Sequence, residues 1–307
     1  MWGPPFHMHR IRRSPRGLLA IALLLPCVST ARGQDRRYPS DRELLARFAP
    51  VVILAPGERA LPASVDWYLA RARLDPDPAP SPRVTQATLL GVDWRALLRQ
   101  VGRKVARLRP NYAARPGSSD PRNWVVYGHV YPAQDGGTLL QYWFFYPFND
   151  FHVLFDHEGD WEHVTLRLDA SGRPVGAWYA RHERSAPGRW FEWKDLQLEG
   201  EHPVVLAARG SHASYADAGD VRWYDRSCAA RVPSEAQRLG CTVWRTWARG
   251  TGGVVATGPR ERPLPGATFV MWPGEWGTLG WFGRDTGGPH GPAYQSGWCS
   301  MGTPGCS

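Results

Sequence analysis

The nine residues from Asp156 to Val164, DHEGDWEHV, bring four carboxylates and two imidazoles to the mouth of an alternating stretch. Residue types of this kind hold a cation, move protons, or make a polar turn. In a strand, residues two apart share a face. Val164, Leu166 and Leu168 then mark a core side, and Asp160 and Glu162 extend the same row, while His163, Thr165 and Arg167 point away. Carboxylates on a core side need a counter-ion, because desolvating a charge is costly. A bound divalent cation would meet that need. Gly159 lets the chain bend so that His157 reaches the same point, and Asp150 ends a strand that would lie alongside. Asp150, His157, Asp160 and Glu162 are three hard oxygen donors and one imidazole, a set suited to Ca²⁺ or Mg²⁺, with Mn²⁺ as the variant, rather than to a thiophilic metal. Read as a polar turn, the same residues form a solvated loop paired with arginine. Trp161, between the acids, would pack a loop or line a groove.

A second cluster, Arg209-Gly-Ser-His212-Ala-Ser-Tyr215, follows the apolar run 203–208. Adjacent Ser211 and His212 suggest nucleophilic catalysis, but neighbours on an extended chain point apart, and Gly-x-Ser-x-Gly is absent. Trp161, Arg209, His212 and Tyr215 are instead candidate ligand contacts, with His212 either lining the cleft or hydrogen-bonded in a turn. In a hydrolytic reading, with phosphoesters as the example, Glu158 or His163 would move protons around a metal-bound water, and His212 or Arg209 would stabilise charge.

The elements that must position these residues come in two styles. Ser40 and Glu43 have the spacing of a capping box before a helix over 41–48, and Ser64 caps a second over 65–73. Leu97, Leu98, Val101, Val105 and Leu108 mark the longest helical pattern, over 92–108. A short strand at 50–54 lies between, and the Pro-rich 75–83 and the segment 112–122 read as loops. From residue 124 the period becomes two. Strands are expected over 124–130, 139–146, 162–168, 175–180, 190–193, 203–208, 243–248 and 268–272, with a hairpin turn at 169–172 and a small helix at 234–239. The fold class is mainly β: an antiparallel β-sandwich over about 124–300 with a partly helical N-terminal region over about 40–108.

Residues 1–33 read as a secretory signal peptide: basic from His9 to Arg16, apolar from Gly17 to Val28, then Ala31-Arg32-Gly33. A short membrane anchor is the other reading. Residues 34–307 are expected to form a single β-sandwich domain, secreted or periplasmic, with no transmembrane segment. The chain carries a net +9, and removing five leader arginines leaves +4 on residues 34–307. With no dense basic run interleaved with aromatics, nucleic acid is not implied. Four cysteines remain, Cys228, Cys241, Cys299 and Cys306. Two disulfides suit an exported chain, and pairing 228 with 241 and 299 with 306 closes the shortest loops, although three connectivities are open.

These segments together resemble a known family. HEGDWEHVTLRL (157–168), His182, Trp190 with Asp195-Leu196, and HPVVLAARGSHASYADAG (202–219) resemble the vacuolar protein sorting-associated protein 62-like family and its plant relatives of unknown function. FAPVVILAPGERALPASVDWYL (48–69), QYWFFYPFND (141–150) and GEWGTLG with GGPHGP (274–292) extend the likeness over roughly 44–295. The segment from His157 to Val164 is also similar to the signature of the necrosis- and ethylene-inducing-like proteins, secreted β-sandwich toxins. That resemblance implies a divalent cation held by His157, Asp160, Glu162 and Asp150, or by Asn149 in place of Asp150, which helps engage sphingolipid sugar heads. Glu158-Gly159 stand where that signature has Arg-His, so the target is not carried over. The expected function is lectin-like: metal-dependent binding of a glycan or lipid head group, with a metal-dependent hydrolase and a purely structural or interaction protein as the alternatives.

Overall fold

A computed structural model of the chain describes residues 37–77, 83–151, 156–183, 186–217, 219, 233–280 and 286–298. The expected leader and Cys228, Cys299 and Cys306 fall outside these residues, as do the cysteine pairings. The N-terminal elements are α1 (Arg37–Arg47), β1 (Val51–Leu54), α2 (Val65–Leu69), β2 (Ala72–Asp75), α3 (Gln86–Leu90), α4 (Trp94–Gln100) and β3 (Arg107–Pro110). The β-rich part follows with β4 (Val125–Pro132), β5 (Thr138–Asn149), β6 (His157–Leu168), β7 (Pro174–Glu183), β8 (Ala186–Glu192), β9 (Leu198–Glu199), β10 (His202–Ala207) and β11 (Ser214–Tyr215). It ends with α5 (Pro233–Arg238), β12 (Thr242–Arg245) and β13 (Gly253–Ala256).

Two sheets make the sandwich. The larger runs β13-β4-β5-β6-β7-β8; the smaller runs β11-β10-β1-β12, with β9 on β10. Most neighbours are antiparallel, but β1 with β10 and β13 with β4 pair in parallel, so the sheets are mixed. Alternation does what the spacing requires. Val126, Leu140, Tyr142, Phe144, Val164 and Leu166 face Val52, Leu54, Val205, Ala207 and Trp244 across the sandwich, and Leu45 and Phe48 pack against them. The other face of the larger sheet carries Tyr127, Trp143, Phe145 and Trp161. It is buried by Tyr68, Trp94, Leu108, Phe269, Trp272 and Trp276, so the N-terminal helices and C-terminal turns form a covering layer.

Several expected elements differ in the structure. The helix expected over 92–108 stops at Gln100. Gly102 takes a left-handed φ of 65°, and Arg103 N–H closes the helix end on the Leu98 carbonyl. Residues 107–110 then pair with β2, Leu108 opposite Leu74. The helix begun at Ser64 is capped as expected, its hydroxyl accepting from Trp67 N–H at 3.1 Å, but it ends at Leu69. α1 starts at Arg37, so Ser40 lies inside it and not at its cap. Residues 268–271 form a 3₁₀ turn and no strand, because Phe269 and Trp272, three apart, enter the same core. The hairpin turn at 169–172 is present, with Asp169 accepting from the Ser171 and Arg173 N–H groups. Among the described residues, no helix is long and apolar enough to cross a membrane.

Candidate functional site

β5 and β6 carry the expected acids to one end of the sandwich. Across their ladder Phe144 faces Glu162 and Tyr146 faces Asp160. Asp160 and Glu162 are 1% and 2% exposed, in the row that Val164 and Leu166 continue into the core. Gly159 then interrupts the alternation. Its φ is 70°, and a Cβ there would sit 2.4 Å from the Trp276 carbonyl oxygen. With the left-handed residue inserted, His157 returns to the side of Asp160, its Nε2 3.6 Å from Oδ1. Glu158 is thrown to the opposite side.

The turn after β10 closes over these acids. Ala208 N–H donates to the Ala213 carbonyl, and His212 N–H donates to that of Ala208. Gly210 allows the backbone to press against Asp150, whose carbonyl oxygen would meet a Cβ at 2.2 Å. His212 has a φ of 52°, the one positive value outside glycine among the described residues. Such a conformation persists only where the surroundings over-determine it. Here His212 Nδ1 donates to Asp160 Oδ2 at 2.7 Å, Nε2 lies 3.5 Å from Glu58 Oε1, and the ring stacks on Tyr146 at 3.8 Å and 5°.

This arrangement fixes the charge states. Burial pushes the His212 imidazolium down, but the Glu58 charge and the hydrogen bond to Asp160 outweigh it and hold its pKa up at about 10. Burial pushes Glu58 up, yet the His212 charge and the N–H groups of Gly210 and Ala60 hold it at about 2. Tyr146 is held well above the usual tyrosine range, first by burial and then by the charges of Glu58, Glu162 and Asp160. The counter-charge that the acidic row requires is therefore supplied in part by the chain itself, as an imidazolium flanked by two carboxylates. At neutral pH that imidazolium stays protonated, so His212 is poorly suited to act as a general base.

The other expected residues separate. Glu158 is a structural staple: it accepts from Arg115 at 3.1 Å and from the Thr278 and Leu279 N–H groups at 3.0 and 3.1 Å. His163 lies on the far face of the sheet, against the Trp143 ring at 4.4 Å, too remote in the fold to share chemistry with His212. Trp161, 3% exposed, stacks on Phe269 and packs edge-on to Trp276, so it belongs to the core and lines no groove. Tyr215 is buried on the outer face of the smaller sheet, with the Arg181 guanidinium 4.4 Å above its ring. Asp150 and Arg209 are exposed, and both line the mouth of the site.

For a divalent cation the donors fit in part. His157 and Asp160 approach closely enough to share an ion, and Asn149 Oδ1, opposite His157 in the ladder, is buried without a hydrogen-bond partner. Asp150 faces outward instead, and Asp160 Oδ2 is engaged by His212. Among the described residues, no three His, Cys, Asp or Glu side chains converge as a metal set.

Glu58 and Tyr146 are the functional residues that sequence reasoning missed. A signal was present. β1 and β10 are apolar runs that each end in alanine and a glycine-bearing polar turn, APGERA and AARGSHA. Because they pair in parallel, Leu54 beside Ala207, both turns emerge at one end of the sheet. There Glu58 Oε2 accepts from Gly210 N–H at 2.7 Å. The two turns and the end of β5 enclose an open recess of about 330 Å³ lined by Gly57, Glu58, Arg59, Asp150, Phe151, Arg209 and Gly210.

The chain is similar in fold to solved structures of NLPPya with glucosamine (16% identity, 76% of this chain and 79% of that one, TM-score 0.39) and with mannosamine (14%, 78% and 82%, 0.40). It is similar also to Necrosis and Ethylene inducing Protein 2 from the causal agent of cocoa's Witches Broom disease (14%, 69% and 83%, 0.34). A curated protein of Saccharomyces cerevisiae named as a vacuolar protein sorting-associated protein, TDA6, is 30% identical over 133 residues, 36% of this chain. The matched stretch spans 27% of that yeast protein's length. Residues 118–238, which hold β5, β6 and the turn carrying His212, match the model of the family Vacuolar protein sorting-associated protein 62.

Proposed function

We propose that this chain is a β-sandwich binding protein that takes the sugar of a glycan or lipid head group in the recess between Glu58, Arg59, Asp150, Phe151 and Arg209. One observation carries the reading: a recess of about 330 Å³ offers carboxylate acceptors, guanidinium donors and one aromatic ring around a rigid floor. Sugars present ring hydroxyls that donate and accept on the same face, and an apolar face that stacks on an aromatic ring. Sites of this kind use a few placed polar groups for orientation. The floor is preorganised because Glu58 is tied to Gly210, and His212 to Asp160 and Tyr146. A divalent cation, Ca²⁺ or Mg²⁺, belongs to the proposal at His157 and Asp160, with Asn149 in the position expected for Asp150. When bound it would supply a Lewis-acid contact to sugar hydroxyls. Export of residues 34–307 is likewise proposed, and the N-terminal sequence of the protein recovered from its host checks it.

The test is titration calorimetry of the purified protein against neutral and amino monosaccharides, with Ca²⁺ and with chelator. The paired substitution Asp150→Ala/Arg209→Ala alters only exposed side chains. Its expected result is a loss of affinity of roughly 10-fold or more with an unchanged melting temperature. No heat with any sugar at millimolar concentration, or equal affinity in the paired variant, overturns the reading. A chelator without effect removes the cation and leaves the recess.

A further inference from the structure

The charge of this chain is unevenly placed. Residues 34–307 carry a net +4, yet the 33 residues from Arg83 to Arg115 hold eight cations and one acid, a net of +7. The remainder is thus net negative, and the whole positive excess belongs to residues 83–115, in α4, β3 and the segments that flank them. The fold gathers it further. Asp75 on β2 accepts from Arg103 at 2.6 Å and from Arg109 at 2.9 Å, which ties the end of α4 to the β2–β3 ribbon. Arg73 and Arg109 stand directly opposite each other on the exposed face of that ribbon, while Leu74 and Leu108 fill its buried face. Like charges placed across a ladder destabilise it, and Asp75, shared between Arg103 and Arg109, leaves Arg73 without an acid of its own among the described residues. Among the described residues, Arg73, Arg95, Arg99 and Lys104 form no ion pair, and all four are exposed. The same segment leaves apolar side chains in solvent: Val101, at the end of α4, is 45% exposed, and Leu90, at the end of α3, is 41% exposed.

We propose that α4 and the β2–β3 ribbon form a docking surface for a bilayer carrying anionic phospholipid. Unpaired cations and exposed aliphatic side chains on the same segment complement a surface that is anionic at its head groups and apolar beneath them. A free polyanion would match the cations and leave Val101 and Leu90 without a partner. The surface is built from residues other than those of the sugar recess, so it stands or falls separately.

Co-sedimentation of the purified chain with vesicles tests it. With phosphatidylcholine vesicles holding about three-tenths phosphatidylserine, binding is expected at low salt and is lost at roughly 0.5 M NaCl. Phosphatidylcholine alone should not bind. Arg95→Glu/Arg99→Glu should weaken binding by roughly 10-fold or more. Arg238→Glu/Arg249→Glu, the same change of net charge at exposed positions elsewhere, should leave it within about 2-fold. Circular dichroism melts confirm that both variants fold. Equal loss in the two variants, or equal sedimentation with neutral vesicles, overturns the proposal. Binding to duplex DNA with the same variant dependence, and none to vesicles, overturns it in favour of a nucleic-acid surface.

Discussion

At the residue scale, His212 holds the candidate site in place. It accepts a left-handed backbone, gives Nδ1 to Asp160, sets its charge beside Glu58, and lies flat on Tyr146. Removing one partner of a buried charge network leaves the others unpaired, which costs more than the pair contributes. His212→Asn keeps a side chain that tolerates the left-handed region and removes the charge. It is expected to lower stability by about 3 kcal/mol or more in denaturant unfolding. Adding Glu58→Gln should recover part of that loss, because one orphaned carboxylate is then neutral. If the double variant is no more stable than the single, the imidazolium is not the counter-charge of Glu58. Glu158, next to the site in sequence, behaves differently. Glu158→Gln should lower the melting temperature by loosening residues 278–279 and leave sugar affinity within about 2-fold.

At the element scale, a glycine sets which side chains of β6 meet. Gly159 reverses the alternation so that His157 joins Asp160 while Glu158 turns to Arg115. Gly159→Ala combines a positive φ with a Cβ 2.4 Å from the Trp276 carbonyl. The expected cost is roughly 2 kcal/mol or more, read from thermal melts, together with loss of any cation-dependent shift. Retained stability in this variant would mean that β6 can carry its acids without the reversal. The parallel pairing of β1 with β10 has a comparable effect, since it delivers the Glu58 and His212 turns to one end.

At the scale of the whole molecule, the larger sheet is buried on both faces, and a buried histidine makes stability depend on pH. His129 stacks on Trp298 at 4.2 Å, and burial drives its pKa down to about 4 despite a hydrogen bond with Gly258. The unfolded chain titrates near 6.5, so below that pH the unfolded state binds a proton that the folded state refuses. Stability from this group is therefore full above pH 6.5 and falls as pH drops towards 4, by up to roughly 3 kcal/mol. Urea midpoints measured between pH 6.5 and pH 4, below the range in which His212 loses its contribution, should show this decline, and His129→Gln should reduce it. An unchanged slope in that variant would assign the acid sensitivity to another group.

Alternation and turn residues, legible without any fold, determined that the chain is a β-sandwich, that β6 begins in acids on its core side, and that Ser64 starts a helix. Local preference governs all three, because period two and a capping hydroxyl act within a few residues. The apolar spacing over 92–108 misled, since Leu108 serves a ribbon once Gly102 has ended the helix. The roles of Trp161 and His163 were not legible either, because only the covering layer from both chain ends makes that face of the sheet a core. Glu58 and His212, which lie 154 positions apart, became a pair only through the parallel contact of β1 and β10. Sequence alone thus determined which residues could carry charge at the end of the sandwich. The tertiary structure decided which of them meet, because a buried carboxylate's counter-charge comes from whatever the topology sets within hydrogen-bond reach, however distant along the chain.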